Sequence, residues 1–382
     1  MIETMTPELE QMKQMIKNFV DKEVEPFAQQ IEEEDAIPQH LVEKAKELGL
    51  FGISIPEEYG GIGLNQVGKA TVLEQLGRTH NGFVSLISAH TGIGSTGLVK
   101  LASPYLKEKY LPDMAAGNKI AAFALSEPGA GSDATNLATR AEKRGNKWIL
   151  NGTKHFITNA PVADVFTVFA LNDKEKGAKG GITAFLVEKD FPGFTVGKKD
   201  KKMGLRGSYT AQLIFEDCEV PEENVIGEVG MGYVSALRIL GEGRVGLAAR
   251  AVGSCQKLIE LSASYAKERV QFGQPIAANQ GIQWMLADMA TETAAARALA
   301  ISAAQMIDEG KKAIKEASMA KLFASDVFNR VADKAVQIHG GMGYVSDYPV
   351  ERFYRDARIT KIYEGTNEIQ RMIIARRVLE EN

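Results

Sequence analysis

The first regular signal along the chain is helical. Thr6 stands as a cap, Pro7 falls in the first turn, Glu8 and Glu10 face the positive end of the helix dipole, and Leu9, Met12, Ile16 and Phe19 recur at helical spacing. Such a helix buries one face. A second helix, Leu41 to Leu48, is stopped by Gly49, and the turn-rich stretch Pro56 to Gly61 separates it from further helical sequence up to about Leu111. From Ile120 the period changes. Short β-branched and aromatic runs, Trp148-Ile149-Leu150, Asp164 to Leu171, Ile182 to Val187 and Gln212 to Phe215, alternate with the turn signals Gly145-Asn146, Asn151-Gly152, Gly180-Gly181 and Pro192-Gly193. Beyond Pro221 and the glycines at 227, 230 and 232, long helices return: Val234 to about Glu268, Gln280 to Asp308, Lys311 to His339, and Val350 to Leu379. The Ala-rich stretch Ala294 to Ala300 favours close helix packing, so this third reads as a four-helix bundle. The pattern predicts an α+β protein in three parts: a helical domain over 1–119, a β domain over 120–230, and the bundle over 231–382.

A length of 382 residues agrees with several cores, since single cores stop growing at roughly 250–300 residues. The formal net charge of −4 offers no basic excess to neutralise phosphates along a nucleic acid. Cys218 and Cys255 are too few for a disulfide framework, and the five histidines (His40, His80, His90, His155 and His339) lack the short spacing of metal ligands. No metal is expected. The N-terminal Met1 to Thr4 lacks a cationic stretch leading into an apolar one, and no long apolar run follows, so a cytoplasmic protein without a membrane span is expected.

The stretch Gly92-Ile93-Gly94-Ser95-Thr96-Gly97 satisfies a G-x-G-x-x-G dinucleotide pattern, with Phe83 to Ala89 before it as strand and Glu127 beyond as ribose acid. Pro104 interrupts the would-be crossover helix, and no alternating strand and helix series follows. A structural turn is the better reading. More informative is Phe123 to Asp133, where an apolar strand ends in Ser126 and a Pro/Gly turn exposes backbone N–H groups suited to a phosphate or a heteroaromatic edge. In Lys154 to Asn159, Phe156 and Thr158 alternate so as to flank a planar ring, or simply form an edge strand.

Taken in order, A-F-A-L-S-E-P-x-A-G-S-D from Ala122, F-I-T-N from Phe156, G-L-R-G-S-x-T from Gly204, R-x-Q-F-G from Arg269, Q-I-H-G-G-x-G-Y from Gln337 and Y-E-G-T-N-E-I-Q-R from Tyr363 closely resemble the acyl-CoA dehydrogenase family. The resemblance covers the whole chain and is nearest to bacterial short-chain, butyryl-type members. It implies a central antiparallel β-barrel or sandwich, with FAD held between this β domain and the four-helix bundle. The matching flavin contacts are Phe123, Leu125, Ser126, Gly131 and Ser132, with Phe156, Ile157 and Thr158 beside the ring. Arg269, Gln271, Phe272 and Gln280, with Gln337, Ile338, Gly340 and Gly341, match contacts made from a neighbouring subunit; Thr366 and Glu368 match the last ones. The resemblance therefore also implies an obligate homo-oligomer, in this family usually a tetramer.

Glu364 matches the family's catalytic base, which takes the α-proton of an acyl-CoA thioester while the β-carbon gives a hydride to flavin N5, forming a trans-2-enoyl-CoA. The family holds the enolate oxygen with the base's own backbone N–H and a flavin hydroxyl. Ser132, Leu240, Arg244, Tyr363 and Gly365 match substrate contacts. A family branch carries its base immediately before the residue matching Arg244; here that residue is Gly243, with Glu242 turned by about 100° on a helix. Gly241 replaces a common Asp that bonds the CoA pantetheine, and Phe156 replaces a common Trp. Short- to medium-chain saturated acyl-CoA is the expected substrate, and electron-transfer flavoprotein the expected acceptor. The lack of an Arg in Ser85 to Gly97 argues against a distal carboxylate on the acyl chain. A same-fold flavin oxidase of acyl-CoA oxidase type, or a non-catalytic acyl-CoA/FAD-binding protein, stands as the alternative.

Overall fold

The computed structural model describes residues 6–381; the reading of Met1 to Thr4 lies outside the described residues. The N-terminal part holds α1 (Pro7–Phe19), α2 (Ala28–Glu34), α3 (Gln39–Glu47), α4 (Gln66–Leu76), α5 (Asn81–Ala89), α6 (Ser95–Leu101) and α7 (Pro104–Ala115). Thr6 Oγ1 caps α1 by accepting from the Leu9 N–H at 3.2 Å, and Ile16 and Phe19 fill its buried face. Pro104 does not interrupt a helix; it opens α7, where a missing N–H costs nothing, behind the Ser103 cap.

The middle part carries one sheet of eight strands: β1 (Ala121–Ala124), β2 (Arg140–Arg144), β3 (Lys147–Thr158), β4 (Val165–Leu171), β5 (Ile182–Glu188), β6 (Phe194–Val196), β7 (Thr210–Pro221) and β8 (Val225–Ile226). The order is β6-β7-β3-β2-β4-β5-β8, with β1 on the side of β4. The sheet is not wholly antiparallel. β1 runs parallel to β4, pairing Ala121 with Val165 through Ala124 with Val168, because the chain returns from α7 before the meander begins. This delivers the end of β1, Leu125 and Ser126, to the upper half of β3.

The bundle consists of α8 (Gly232–Glu268), α9 (Gln280–Asp308), α10 (Ile314–His339), α11 (Val350–Ile359) and α12 (Asn367–Glu381), with a short hairpin of β9 (Val270–Gln271) and β10 (Gln274–Pro275) between α8 and α9. Alanines 296, 300, 303, 304, 317, 320, 324 and 332 are buried and bring the helices into close approach. Two sequence expectations are corrected. Helix α10 begins at Ile314, three residues after Lys311. The stretch Val350 to Leu379 is two helices, parted by a loop around Glu364.

One apolar core runs from Ile16 and Phe19 through Phe166 and Leu213 to Phe328 and Phe353, so the three parts are packed as one body. A smaller core around Leu106, Tyr110, Phe123, Phe169 and Ile239 seats β1 against α6, α7 and α8. Charged groups fasten another junction, where the N-terminal helices meet the β domain and the bundle. Glu32 of α2 meets His80 at 2.9 Å and Arg355 of α11 at 2.6 Å, while Asp356 accepts from the Leu205 N–H of the β domain. Burial alone would push the Glu32 carboxyl up, but the hydrogen bonds and charges of His80 and Arg355 outweigh it and hold it at about 2. A carboxyl depressed in the folded state contributes stability above its unfolded value, near pH 4.3, that disappears as pH falls through the folded one. The wild type should therefore lose urea-midpoint stability steeply between about pH 5 and pH 2, and Glu32→Gln should flatten that limb.

Candidate active site

The loop between α11 and α12 exists because neighbours capture its backbone. Lys321 of α10 donates to the Gly365 carbonyl at 2.8 Å and to Asn367 Oδ1 at 2.9 Å, and Gln370 Nε2 donates to the Gly365 carbonyl at 2.9 Å. Asn367 Nδ2 donates in turn to Ser325 Oγ and Asp326 Oδ1. Gly365 sits at φ +88°, natural for glycine, but Glu364 before it is also left-handed at φ +54°. For a side-chain-bearing residue that costs about 1 kcal/mol or more, and it persists because the surrounding bonds fix the loop. Thr366 Oγ1 caps α12 by accepting from the Ile369 N–H at 3.3 Å, and Glu368 stands exposed in the first turn.

The strain aims the Glu364 carboxylate inward. Oε2 is shut off from solvent and accepts no hydrogen bond. The backbone N–H of Glu364 likewise has no acceptor among the described residues. Burial pushes the carboxyl above its ordinary value, opposed by the cations of Arg250, Lys321 and Arg244. Burial pushes the Lys321 ammonium down to about 8, which the charge of Glu364 resists. Room for the carboxylate comes from Gly243: a Cβ there would lie 2.8 Å from Glu364 Oε2 and 2.9 Å from Ile93 Cγ2.

Glu364 borders a cavity of about 40 Å³ walled by Ile53, Ala70, Leu73, Ile93, Val245 and Leu247, with Gln66, Lys69, Ser88 and Arg250 among its polar lining. Room for a few waters is room for a short chain. Glu242 also reaches this lining, but its carboxylate is taken by Lys100 and, at 2.8 Å, by Gln66 Nε2. Arg244 is buried, bonded to Ser318 Oγ at 3.3 Å and set behind Gly365. Tyr363 accepts at its hydroxyl from Arg250, and Leu240 is half-buried against the smaller core.

Two of the sequence-predicted cofactor groups meet at the end of β1. The His155 N–H donates to the Ser126 carbonyl at 2.9 Å, and Lys154 donates to the Leu125 carbonyl at 3.1 Å and to Glu127 at 2.7 Å. Glu127 also accepts from the Ala138 and Thr139 N–H groups. It is a buried brace for this turn, not a ribose ligand. Phe123, Leu125 and Ile157 are buried, whereas Gly131, Ser132 and Phe156 face outward. Phe156 holds its ring 67% exposed from a left-handed backbone at φ +58°, stacked on His155 at 3.8 Å. Gly129 and Gly131 have open space where a Cβ would stand. An uncovered ring beside a bare polar turn fits the edge and face of a flavin.

The other groups lie at the far end of the bundle. Arg269, Gln271, Phe272 and Gln280 are exposed on and after the β9–β10 hairpin, and Tyr265 stacks on His339 at 4.4 Å, bringing the Gln337 to Gly341 turn alongside. Gln337, Gly340 and Gly341 are exposed, but Ile338 is in the core, leaving only its backbone to a ligand. Among the described residues no hydrogen bond joins this end to the Phe123 to Ser132 turn. The G-x-G-x-x-G stretch forms no phosphate loop: Phe83 to Ala89 is helical, and residues His90–Gly94 make a kinked π-turn into α6. Sequence reasoning passed over Arg250, Lys321 and Ser88, which carry no local signature, and gave no role to Gln370 although it lies within the motif from Tyr363.

Family models match the chain along nearly its full length: the acyl-CoA dehydrogenase N-terminal domain over residues 6–118, the middle domain over 122–218 and the C-terminal domain over 230–379. An acyl-CoA dehydrogenase of Bacillus subtilis (strain 168) is 48% identical over 374 residues, covering 98% of each chain. The butyryl-CoA dehydrogenase of Megasphaera elsdenii superposes with a TM-score of 0.96 at 39% identity, covering 99% of this chain and 100% of that one. A chain solved in work on the electron transferring flavoprotein of Acidaminococcus fermentans and flavin-based electron bifurcation gives 0.97 at 43% identity, covering 99% and 100%.

Glu127→Ala leaves Lys154 buried without its counterion, and should cost about 3–5 kcal/mol in denaturant unfolding. The apolar pair Glu127→Leu with Lys154→Met should recover most of that stability.

Proposed function

The chain belongs to the acyl-CoA dehydrogenase family and is an FAD-dependent oxidoreductase acting on acyl-CoA; from that premise we propose that it dehydrogenates short- to medium-chain acyl-CoA to trans-2-enoyl-CoA with Glu364 as base. The observation that carries this reading is the buried, unbonded Glu364 Oε2 at the edge of the acyl-sized cavity. The α-proton of a thioester is weakly acidic, so its base must sit close, dry and raised in pKa. Glu364 Oε2 takes that proton. The free backbone N–H of Glu364 gives the enolate oxygen a donor without a metal. Arg244, Arg250 and Lys321 keep enough of the carboxyl ionised to act despite its burial. When bound, FAD supplies the hydride acceptor for the β-carbon.

Leu125, Ser126, Gly131, Ser132, Phe156, Ile157 and Thr158 hold the ring end in this reading, with Phe123 packed beneath. Arg269, Gln271, Phe272, Gln280, Gln337, Ile338, Gly340 and Gly341 hold the adenine and pyrophosphate end of a neighbour's FAD. Thr366 and Glu368 close the site. The separation of the two groups in one chain supports a homo-oligomer, and a tetramer is our assignment; Phe272 at 99% exposure and Trp284 at 63% are apolar surface that a partner covers. The small cavity and the likeness to a butyryl-CoA dehydrogenase support the short end of the chain-length range. The likeness to the Acidaminococcus fermentans chain supports electron-transfer flavoprotein as acceptor. No described helix is long and apolar enough to cross a membrane. We assign the cytoplasm as its compartment on the sequence reading.

Anaerobic titration with butyryl-, octanoyl- and isobutyryl-CoA, followed by flavin absorbance, tests the reaction: one of them should bleach the bound FAD. Glu364→Gln should fold and stay yellow but lose at least about 10²-fold in bleaching rate, the usual share of a general base. Retained activity in that variant would move the base elsewhere. Because burial raises the pKa of Glu364 and only the ionised form accepts a proton, kcat/KM should fall on the acid side with an apparent pKa above the ordinary 4.5. A pH profile from about 5 to 9 measures it.

A further inference from the structure

A guanidinium is buried in the acyl cavity with no carboxylate bonded to it. Arg250, on α8, is 6% exposed and lines the same cavity as Glu364. Its Nη1 donates to Ser88 Oγ at 2.7 Å and its Nη2 to the Tyr363 hydroxyl, so two of five N–H donors meet neutral oxygens. Among the described residues Arg250 forms no ion pair. Buried arginines elsewhere in this protein do: Arg78 meets Glu260 at 2.8 Å and Arg352 meets Glu25 at 3.1 Å. Arg244, the other buried arginine without a carboxylate, does not line the cavity. A buried charge is costly unless paired, and the charge that Arg250 feels, Glu364, is the group that must stay free to take a proton.

A second cation shares the cavity. Lys69 of α4 lines it, its ammonium makes no hydrogen bond or ion pair among the described residues, and burial pushes that ammonium down. The acids available to balance these cations are already committed. Glu242 is held by Lys100 and Gln66, and Asp308 accepts from the Gln66 and Val67 N–H groups. The cavity thus has apolar walls for a short chain, a base at one point and, at another, a planar cation with no carboxylate bonded to it.

We propose that Arg250 recognises a carboxylate at the far end of the acyl chain, so that short dicarboxylic acyl-CoA thioesters are preferred over methyl-terminated chains of the same length. The proposal rests on Glu364 being the base and adds the substrate class. A planar guanidinium matches a carboxylate with two parallel hydrogen bonds, and a methyl terminus would leave the same guanidinium desolvated and unpaired. The sequence pointed away from this substrate because it holds no arginine in Ser85 to Gly97. The cation reaches the cavity from α8 instead, and is bonded to Ser88 within that very stretch.

The test compares glutaryl-CoA with valeryl-CoA, equal in carbon number, on the FAD-loaded enzyme and on Arg250→Gln and Arg250→Lys. A site built around a polar partner rejects the analogue lacking it, so wild type should favour glutaryl-CoA by about tenfold or more in kcat/KM. Arg250→Gln should reverse the order, and Arg250→Lys should keep part of it. Bleaching by valeryl-CoA but not by glutaryl-CoA overturns the proposal and leaves the dehydrogenase reading standing. An equal fall for both substrates in Arg250→Gln, with no preference in wild type, overturns it as well, since that is the mark of a structural arginine. Bleaching by neither of these, nor by butyryl- or octanoyl-CoA, removes the reading of Glu364 on which it rests. If Arg250→Gln fails to hold FAD, the wild-type preference decides.

Discussion

The local architecture depends on keeping one carboxylate dry and unbonded. Glu364 Oε2 has three cations in its field and no hydrogen bond to any of them. A direct ion pair would lower its basicity and block its lone pairs, whereas complete isolation in an apolar pocket would protonate it. The arrangement lies between these limits: charges act at a distance while hydroxyls and carbonyls occupy their donors. Lys321 donates to the Gly365 carbonyl and the Asn367 side-chain amide, and Arg250 to Ser88 and Tyr363.

That requirement explains the break between α11 and α12. A continuous helix would hold the residue at position 364 in right-handed backbone with its carbonyl committed to the helix. The left-handed turn at Glu364 and Gly365 instead frees the N–H and points the side chain at the cleft left by Gly243. The cost in backbone strain falls on a segment tied down by Lys321, Ser325, Asp326, Asn367 and Gln370.

Most of the fold could be read from the chain. Thr6-Pro7 starts a helix wherever it stands before amphipathic sequence, and Gln280 to Asp308 is bounded by breakers on both sides, so local chemistry decides these cases. The loop at Glu364 is only partly legible: Gly365 and the Thr366 cap are local signals, but Arg358, Ile359, Ile362 and Tyr363 are compatible with helix and what pins the loop is bonding to α10, some forty residues earlier. The parallel seating of β1 on β4 is likewise a tertiary result. Motif matching nominated the candidate base and two candidate cofactor groups, because those residues cluster in short segments. Arg250 escaped because it stands in an Ala-rich helical run, and only the packing of α8 against α4, with the bonds to Ser88 and Tyr363, turns it toward the cavity.

Helix α8 is a single uninterrupted element of 37 residues, about 55 Å long at 1.5 Å per residue. Gly243 and Arg244 stand in its first half, Arg250 at its midpoint, and Arg269 follows its last turn. One rigid rod therefore sets both the angle and the distance between a chain's own acyl cavity and the hairpin assigned to a neighbour's cofactor. Inserting one residue between them would swing the hairpin by about 100° and advance it by about 1.5 Å. Side-chain changes along this segment leave both ends in place, whereas any change of length displaces one against the other.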